Sequence, residues 1–157
     1  MPTCRDCGTA DPALHYRSGR MHRCHDCQHY LNVTRKATGG GVEFSRAAFL
    51  AWRRASPDRR RCLYCGIGGE QLYALNIENP RTLKRYEVVG GDRRDNTLPY
   101  RPDSIDPCCP LCNQIKSQLL THEEMLVLGP HLCTLWDARL VGFRRGYVGP
   151  GEAGGSG

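Results

Sequence analysis

Eight of the ten cysteines fall into four C-x-x-C pairs: Cys4/Cys7, Cys24/Cys27, Cys62/Cys65 and Cys109/Cys112. No other feature restricts the possible folds as strongly. A turn carrying two thiolates can aim both sulfurs at one ion, and tetrahedral zinc takes four such ligands. Disulfides are the competing use, but repeated C-x-x-C fits a disulfide framework poorly and no apolar secretory segment is seen at the N-terminus. A redox C-x-x-C needs a βαβ pattern, and none surrounds any pair. The pairs therefore predict two structural Zn²⁺ ions in a reducing, cytoplasmic setting.

Zinc also answers a shortage. The chain has 157 residues, enough for one ordinary domain or two small ones, with 39% hydrophobic content, 18 Gly and 10 Pro. That is a thin core supply, so metal ligation must supplement apolar burial. No run is long or apolar enough to span a bilayer. The expected class is a small, zinc-stabilised α+β fold.

Residues 1–34 read as a first unit. Cys4, Cys7, Cys24 and Cys27 form C-x2-C-x16-C-x2-C, the spacing of a four-cysteine zinc ribbon. Gly8 permits the tight knuckle turn, and Leu14 to Arg20 reads as a short hairpin turning at Ser18-Gly19. His22, His25 and His29 crowd the second knuckle and are read as surface or phosphate-contacting residues, since four cysteines already fill the shell. Gln28 to Arg35 continues as a short helix, and residues 35–41 are a Gly-rich linker.

A second unit spans 42–130. Val42 to Ala55 predicts a helix with Ser45 as N-cap and Ala48, Phe49 and Trp52 on one face. Arg46, Arg53 and Arg54 are expected on its polar face, as a solvated surface or as phosphate contacts. Gly41 to Arg61 holds six Arg against Glu43 and Asp58, whereas Cys62 to Leu120 is balanced at seven basic and seven acidic residues. With a net charge of +6, this concentration points to a polyanionic partner. Tyr86 to Val89 reads as a strand broken by Gly90-Gly91, Asp103 to Asp106 as extended, and Asn113 to Leu120 as a helix. Thr121 and Glu124 form a capping box opening a helix through Leu128, stopped by Gly129-Pro130. Residues 131–157 form a C-terminal extension ending in a Gly-rich tail.

The blocks C-L-Y-C-G at 62–66, G-G-D-R-R-D-N at 90–96 and Y-R-P-D-S-I-D-P-C-C-P-L-C-N-Q-I-K at 100–116 resemble the HNH endonuclease superfamily. They are most similar to a phage and bacterial subgroup with D-R-x-D-N and P-C-C-x-x-C-N motifs. The resemblance covers about Phe44 to Leu128. It implies a ββα-metal unit, a hairpin packed on a helix with a catalytic divalent ion between them. It implies structural zinc on Cys62, Cys65, Cys109 and Cys112, with Cys108 a packed neighbour. Asp92 and Asn113 are then the candidate ligands of the catalytic Mg²⁺ or Mn²⁺, followed by Asp95 and Asn96. Lys116 would face a phosphate, and Arg94 joins the DNA contacts.

Two positions depart from the pattern. Arg93 stands where the wider superfamily has its water-activating His, and Ser104 where the subgroup has Asn. Arginine stays protonated and is no general base, but it can clamp a scissile phosphate. The base must then be metal-bound hydroxide, Asp95, or a histidine from elsewhere, His122 or His131. The resemblance implies a metal-dependent DNA endonuclease of a bacterial or phage-infected cell. The alternatives are a catalytically degenerate HNH-scaffold DNA-binding protein and a zinc-stabilised protein-interaction adaptor.

Overall fold

In the computed structural model, which describes residues 3–17, 22–36 and 41–140, the two cysteine tetrads are built alike. The first pair of each tetrad closes with a glycine N–H bonded back to a cysteine carbonyl, Gly8 to Cys4 and Gly66 to Cys62, both at 2.8 Å, whereas Cys24 and Cys109 accept from Gln28 N and Asn113 N at the start of a helix. Gly8 and Gly66 sit at φ +71° and +74°, which favours residues without a Cβ. Within each tetrad the four sulfurs lie within 4.8 Å of one another. Cys7 and Cys24 are 3.7 Å apart, and Cys65 and Cys109 are 3.8 Å apart. A tetrahedron with Zn–S bonds of about 2.3 Å places its sulfurs roughly 3.8 Å apart, so both donor sets fit zinc.

The elements are α1 (His25–Lys36), α2 (Arg46–Arg54), α3 (Gly69–Ala74), β1 (Gly90–Arg93), β2 (Ile105–Cys108), α4 (Pro110–Lys116) and α5 (His122–Arg139). β1 and β2 form an antiparallel two-stranded sheet with Asp92 opposite Asp106 and Gly91 opposite Pro107. Around the second tetrad, Tyr64, Ile67, Leu72, Val89, Met125 and Trp136 make the main core. Phe49, Trp52 and Ile105 make a second cluster between α2 and the hairpin, joined by Tyr30 from α1. No helix among the described residues is long and apolar enough to cross a membrane.

Several local readings hold. Ser45 caps α2 by accepting from Ala48 N, and Thr121 and Glu124 form the reciprocal capping box of α5. Cys109 caps α4, its sulfur accepting from Cys112 N at 3.3 Å. Others are corrected. The strand is not Tyr86–Val89 but begins at Gly90 and runs through the double glycine. α4 starts three residues earlier than Asn113, and α3 adds a short helix after the Cys62/Cys65 pair. In the first unit, Pro12–Leu14 is a 3-10 turn and the second knuckle opens directly into α1. No strand occurs among the described residues there, and the expected Ser18-Gly19 turn lies outside them. The linker glycines 39–40, Arg144, Arg145 and the tail also lie outside them.

Gly129-Pro130 does not stop α5, which continues to Arg139 with Pro130 inside it. The reason is packing. A Cβ at Gly129 would lie 2.0 Å from the carbonyl oxygen of Tyr64, in the Cys62–Cys65 knuckle. The glycine lets the helix backbone touch the knuckle. Gly129→Ala is expected to destabilise the protein by at least ~2 kcal/mol through overpacking, although alanine is the better helix former. A lower denaturant midpoint would establish this close approach, and a higher one would dismiss it.

The two cysteine units are tied by a buried charge. The Asp26 side chain, on α1 between Cys24 and Cys27, has no exposed surface and meets Arg53, Arg54 and Arg60 at 3.4, 3.3 and 3.0 Å. Burial alone would push its carboxyl up, but Arg60 and Arg53 outweigh that and hold it below the usual range.

Candidate active site

β1 ends against α4, and this junction gathers the site. Asp92, Arg93, Asn96 and Asn113 line one open depression of about 370 Å³, with Tyr100, Ser117 and Gln118. Asp92 is 8% exposed and its Oδ2 accepts from the Lys116 ammonium at 2.5 Å. Lys116 also donates to the Arg93 carbonyl. Asn113, in the second turn of α4, is exposed. A carboxylate oxygen and an amide oxygen on one small concavity are hard donors of the kind Mg²⁺ and Mn²⁺ prefer.

Arg93 is nearly buried, packed 4.7 Å over the Tyr100 ring, and donates to Leu98 O at 3.0 Å. Asn96 donates to Ser117 O at 3.2 Å, tying the β1–β2 loop to the end of α4. Asp95 is exposed and outside the depression's lining. Its Oδ1 accepts from Thr97 N at 2.8 Å and Thr97 Oγ1 at 2.7 Å. Those bonds hold its carboxyl below the usual range, which weakens it as a base. Ser104 is buried, donating to Pro99 O at 2.6 Å and accepting from Arg101 N at 3.0 Å. The departure at Ser104 thus closes the loop between the strands.

The five expected DNA contacts divide. Arg46 keeps its side chain 45% exposed, 3.6 Å from Asp6. Arg94 is half exposed and grips Asp106 with two bonds of 2.7 and 3.0 Å. Arg54 is partly exposed and reaches Asp26 and Cys7 Sγ. Arg53 and Lys116 are corrections: both are 2% exposed. Arg53 is turned inward by Asp26 and by the carbonyls of Arg59, Gly90 and Val89. Lys116 is turned inward by Asp92, so its charge serves the site's own carboxylate.

Of the two candidate histidines, His131 is exposed on α5. His122 is not: its Nδ1 lies 3.0 Å from the Tyr64 hydroxyl and 3.8 Å from Asp106 Oδ2. Residues directly opposite in an antiparallel pair share a face, so Asp106 stands beside Asp92. Tyr64 and Asp106 gave no chemical signal in the sequence beyond the motif letters. His29 was also misread. It points inward, accepting from Gly91 N at 3.0 Å and packing on Phe49 at 5.6 Å. Its packing there, helped by Arg53, pulls the imidazole down to about 3, so the ring is neutral and can accept.

No protein-family model and no curated protein matches the chain. Among solved structures, the rare-cutting HNH restriction endonuclease PacI superposes with a TM-score of 0.79 and 32% identity, over 88% of this chain and 98% of that one. The chain belongs to the HNH endonuclease family. In this HNH endonuclease the hairpin β1–β2 and helix α4 hold Asp92 and Asn113 around one depression, and the second cysteine tetrad anchors α4 from behind.

Proposed function

We propose that the protein is a metal-dependent endonuclease that hydrolyses phosphodiester bonds in double-stranded DNA. The observation that supports it best is the convergence of the Asp92 carboxylate, the Asn113 amide and Arg93 on one open depression. Its similarity to an HNH restriction endonuclease over almost its whole length points to the same substrate.

Asp92 and Asn113 would hold one Mg²⁺ or Mn²⁺. Bound there, the ion supplies Lewis acidity toward the phosphate and the leaving oxygen. Lys116 donates to Asp92 Oδ2 and so holds the carboxylate in one orientation. Arg93, braced by Tyr100 and Leu98 O, offers a fixed positive charge to the developing charge on phosphorus oxygens. His122, held by Tyr64 and by Asp106 on the strand opposite Asp92, would serve as base in place of the histidine absent at Arg93. Arg46, Arg54 and Arg94 carry exposed charge toward the DNA backbone.

One observation favours a second reading, a DNA-binding protein on an HNH scaffold. The Lys116 ammonium already neutralises Asp92, so the carboxylate does not itself demand a metal. Cleavage separates the two. Zinc-loaded protein is incubated with bacterial genomic DNA in Mg²⁺, in Mn²⁺ and with both omitted; omission is used because a chelator would also take the zinc. Discrete fragments that require the added ion support the nuclease. No fragments, with DNA retention that weakens steeply with salt, would establish the binder.

A further inference from the structure

We infer that the N-terminal cysteine unit is a working part of the cleavage centre: through His29 it sets the backbone of the strand that carries Asp92 and Arg93. His29 is thus a positioning residue for the reaction, an inference that rests on the nuclease reading above.

Opposite Gly91 stands Pro107, whose carbonyl is taken by Leu63 N at 2.8 Å. The Gly91 N–H turns instead to His29 Nε2, at 3.0 Å. The two preceding carbonyls, Val89 and Gly90, accept from the buried guanidinium of Arg53. Two side chains, one from α1 and one from α2, therefore hold β1 on the residues immediately before Asp92.

Gly90 has the same cause. A Cβ at Gly90 would lie 2.9 Å from His29 Cε1, and one at Gly91 would lie 3.5 Å from His29 Nε2. The imidazole lies against the strand where a side chain would otherwise stand. Glycine inside a strand commonly marks such a close approach.

What places His29 is the first tetrad. Cys24 and Cys27 bracket the start of α1, and His29 follows Cys27 by two positions. Asp26, between the two cysteines, is also the partner of Arg53. Zinc at the first site would thus fix both supports of β1. A displacement of about 1 Å in a reacting group is enough to cost on the order of 100-fold in rate. Loss of the first zinc is therefore expected to slow cleavage as well as to weaken DNA binding.

The test compares His29→Phe, which keeps the packing on Phe49 but removes the acceptor, with His29→Gln, whose amide oxygen can accept from Gly91 N. Single-turnover cleavage is measured on a duplex spanning a site mapped from the genomic digest, with affinity for that duplex measured in Ca²⁺. His29→Phe is expected to cleave about 100-fold more slowly at unchanged affinity, with His29→Gln close to wild type. Wild-type cleavage by His29→Phe, or a His29→Gln as slow as His29→Phe, overturns the proposal. If His29→Phe fails to fold, amide exchange in the wild-type protein decides. A Gly91 N–H protected as deeply as the core amides of α1 supports the bond, and rapid exchange refutes it. Exchange needs no cleavage, so it stands apart from any failure of the nuclease reading.

Discussion

Cys109→Ser leaves the chain without a cooperative fold. The second tetrad is the centre of the main core: Cys62, Cys65, Cys109 and Cys112 are all at or below 1% exposure, enclosed by Ile67, Leu72, Met125 and Trp136. Structural zinc sites contribute about 10–16 kcal/mol of apparent binding free energy, as much as the ~5–15 kcal/mol that separates most folded domains from their unfolded state. Cys109 also caps α4 through Cys112 N, so its loss frays the helix that carries Asn113. Circular dichroism melting with zinc quantitation gives the check. The variant should bind at most one zinc and lack the main thermal transition. Cys108→Ser is the control: Cys108 is equally buried, but its sulfur is outside the tetrad. A Cys109→Ser protein melting like Cys108→Ser would remove zinc from the account of the core.

Asp26→Ala is the second large effect. Its carboxylate is fully enclosed and shared by Arg53, Arg54 and Arg60, of which Arg53 is 2% exposed. Removing it leaves one buried guanidinium and two half-buried ones without their anion. Breaking a buried pair in this way costs about 3–5 kcal/mol. The loss falls on the junction between α1, α2 and β1, so the strand carrying Asp92 loosens with it. Chemical denaturation measures the change. Asp103→Ala is the comparison, because that carboxylate pairs with Arg101 at the surface, where ion pairs contribute little. Equal midpoints for the two variants would show that the Asp26 hub is not structural.

Short-range chemistry was legible in the sequence and long-range contact was not. The knuckle glycine Gly8, the Ser45 cap and the Thr121–Glu124 box each depend on residues within four positions, and all appear as read. The tetrads were legible because zinc spacing is itself a local rule. Gly90-Gly91 and Gly129-Pro130 were misread as breakers because the reasons for Gly90 and Gly129 lie far away, in His29 and in the Tyr64 carbonyl. Arg53 and Lys116 read as phosphate contacts for the same reason. Their burial is decided by Asp26 and Asp92, 27 and 24 residues distant. The helix around Arg53 was found; the direction of its buried cation was not.

Within the site, the motif letters located Asp92, Arg93, Asn96 and Asn113, which share one depression. They also included Asp95, whose carboxylate is turned to Thr97, and they gave no sign that His122 would reach Tyr64 and Asp106. A charge pattern along the chain does not reveal which acid faces the concavity and which closes a turn.

The most direct measurement is cleavage by Asp92→Ala beside the wild-type protein, on the same DNA, in Mn²⁺ and at protein concentrations that saturate binding. The wild-type protein should cut, and the variant should cut at least ~1000-fold more slowly while retaining the DNA, as expected when the ligand that positions a catalytic ion is lost. A variant that binds and cuts at the wild-type rate would contradict the assignment of the Asp92–Asn113 depression as the cleavage centre.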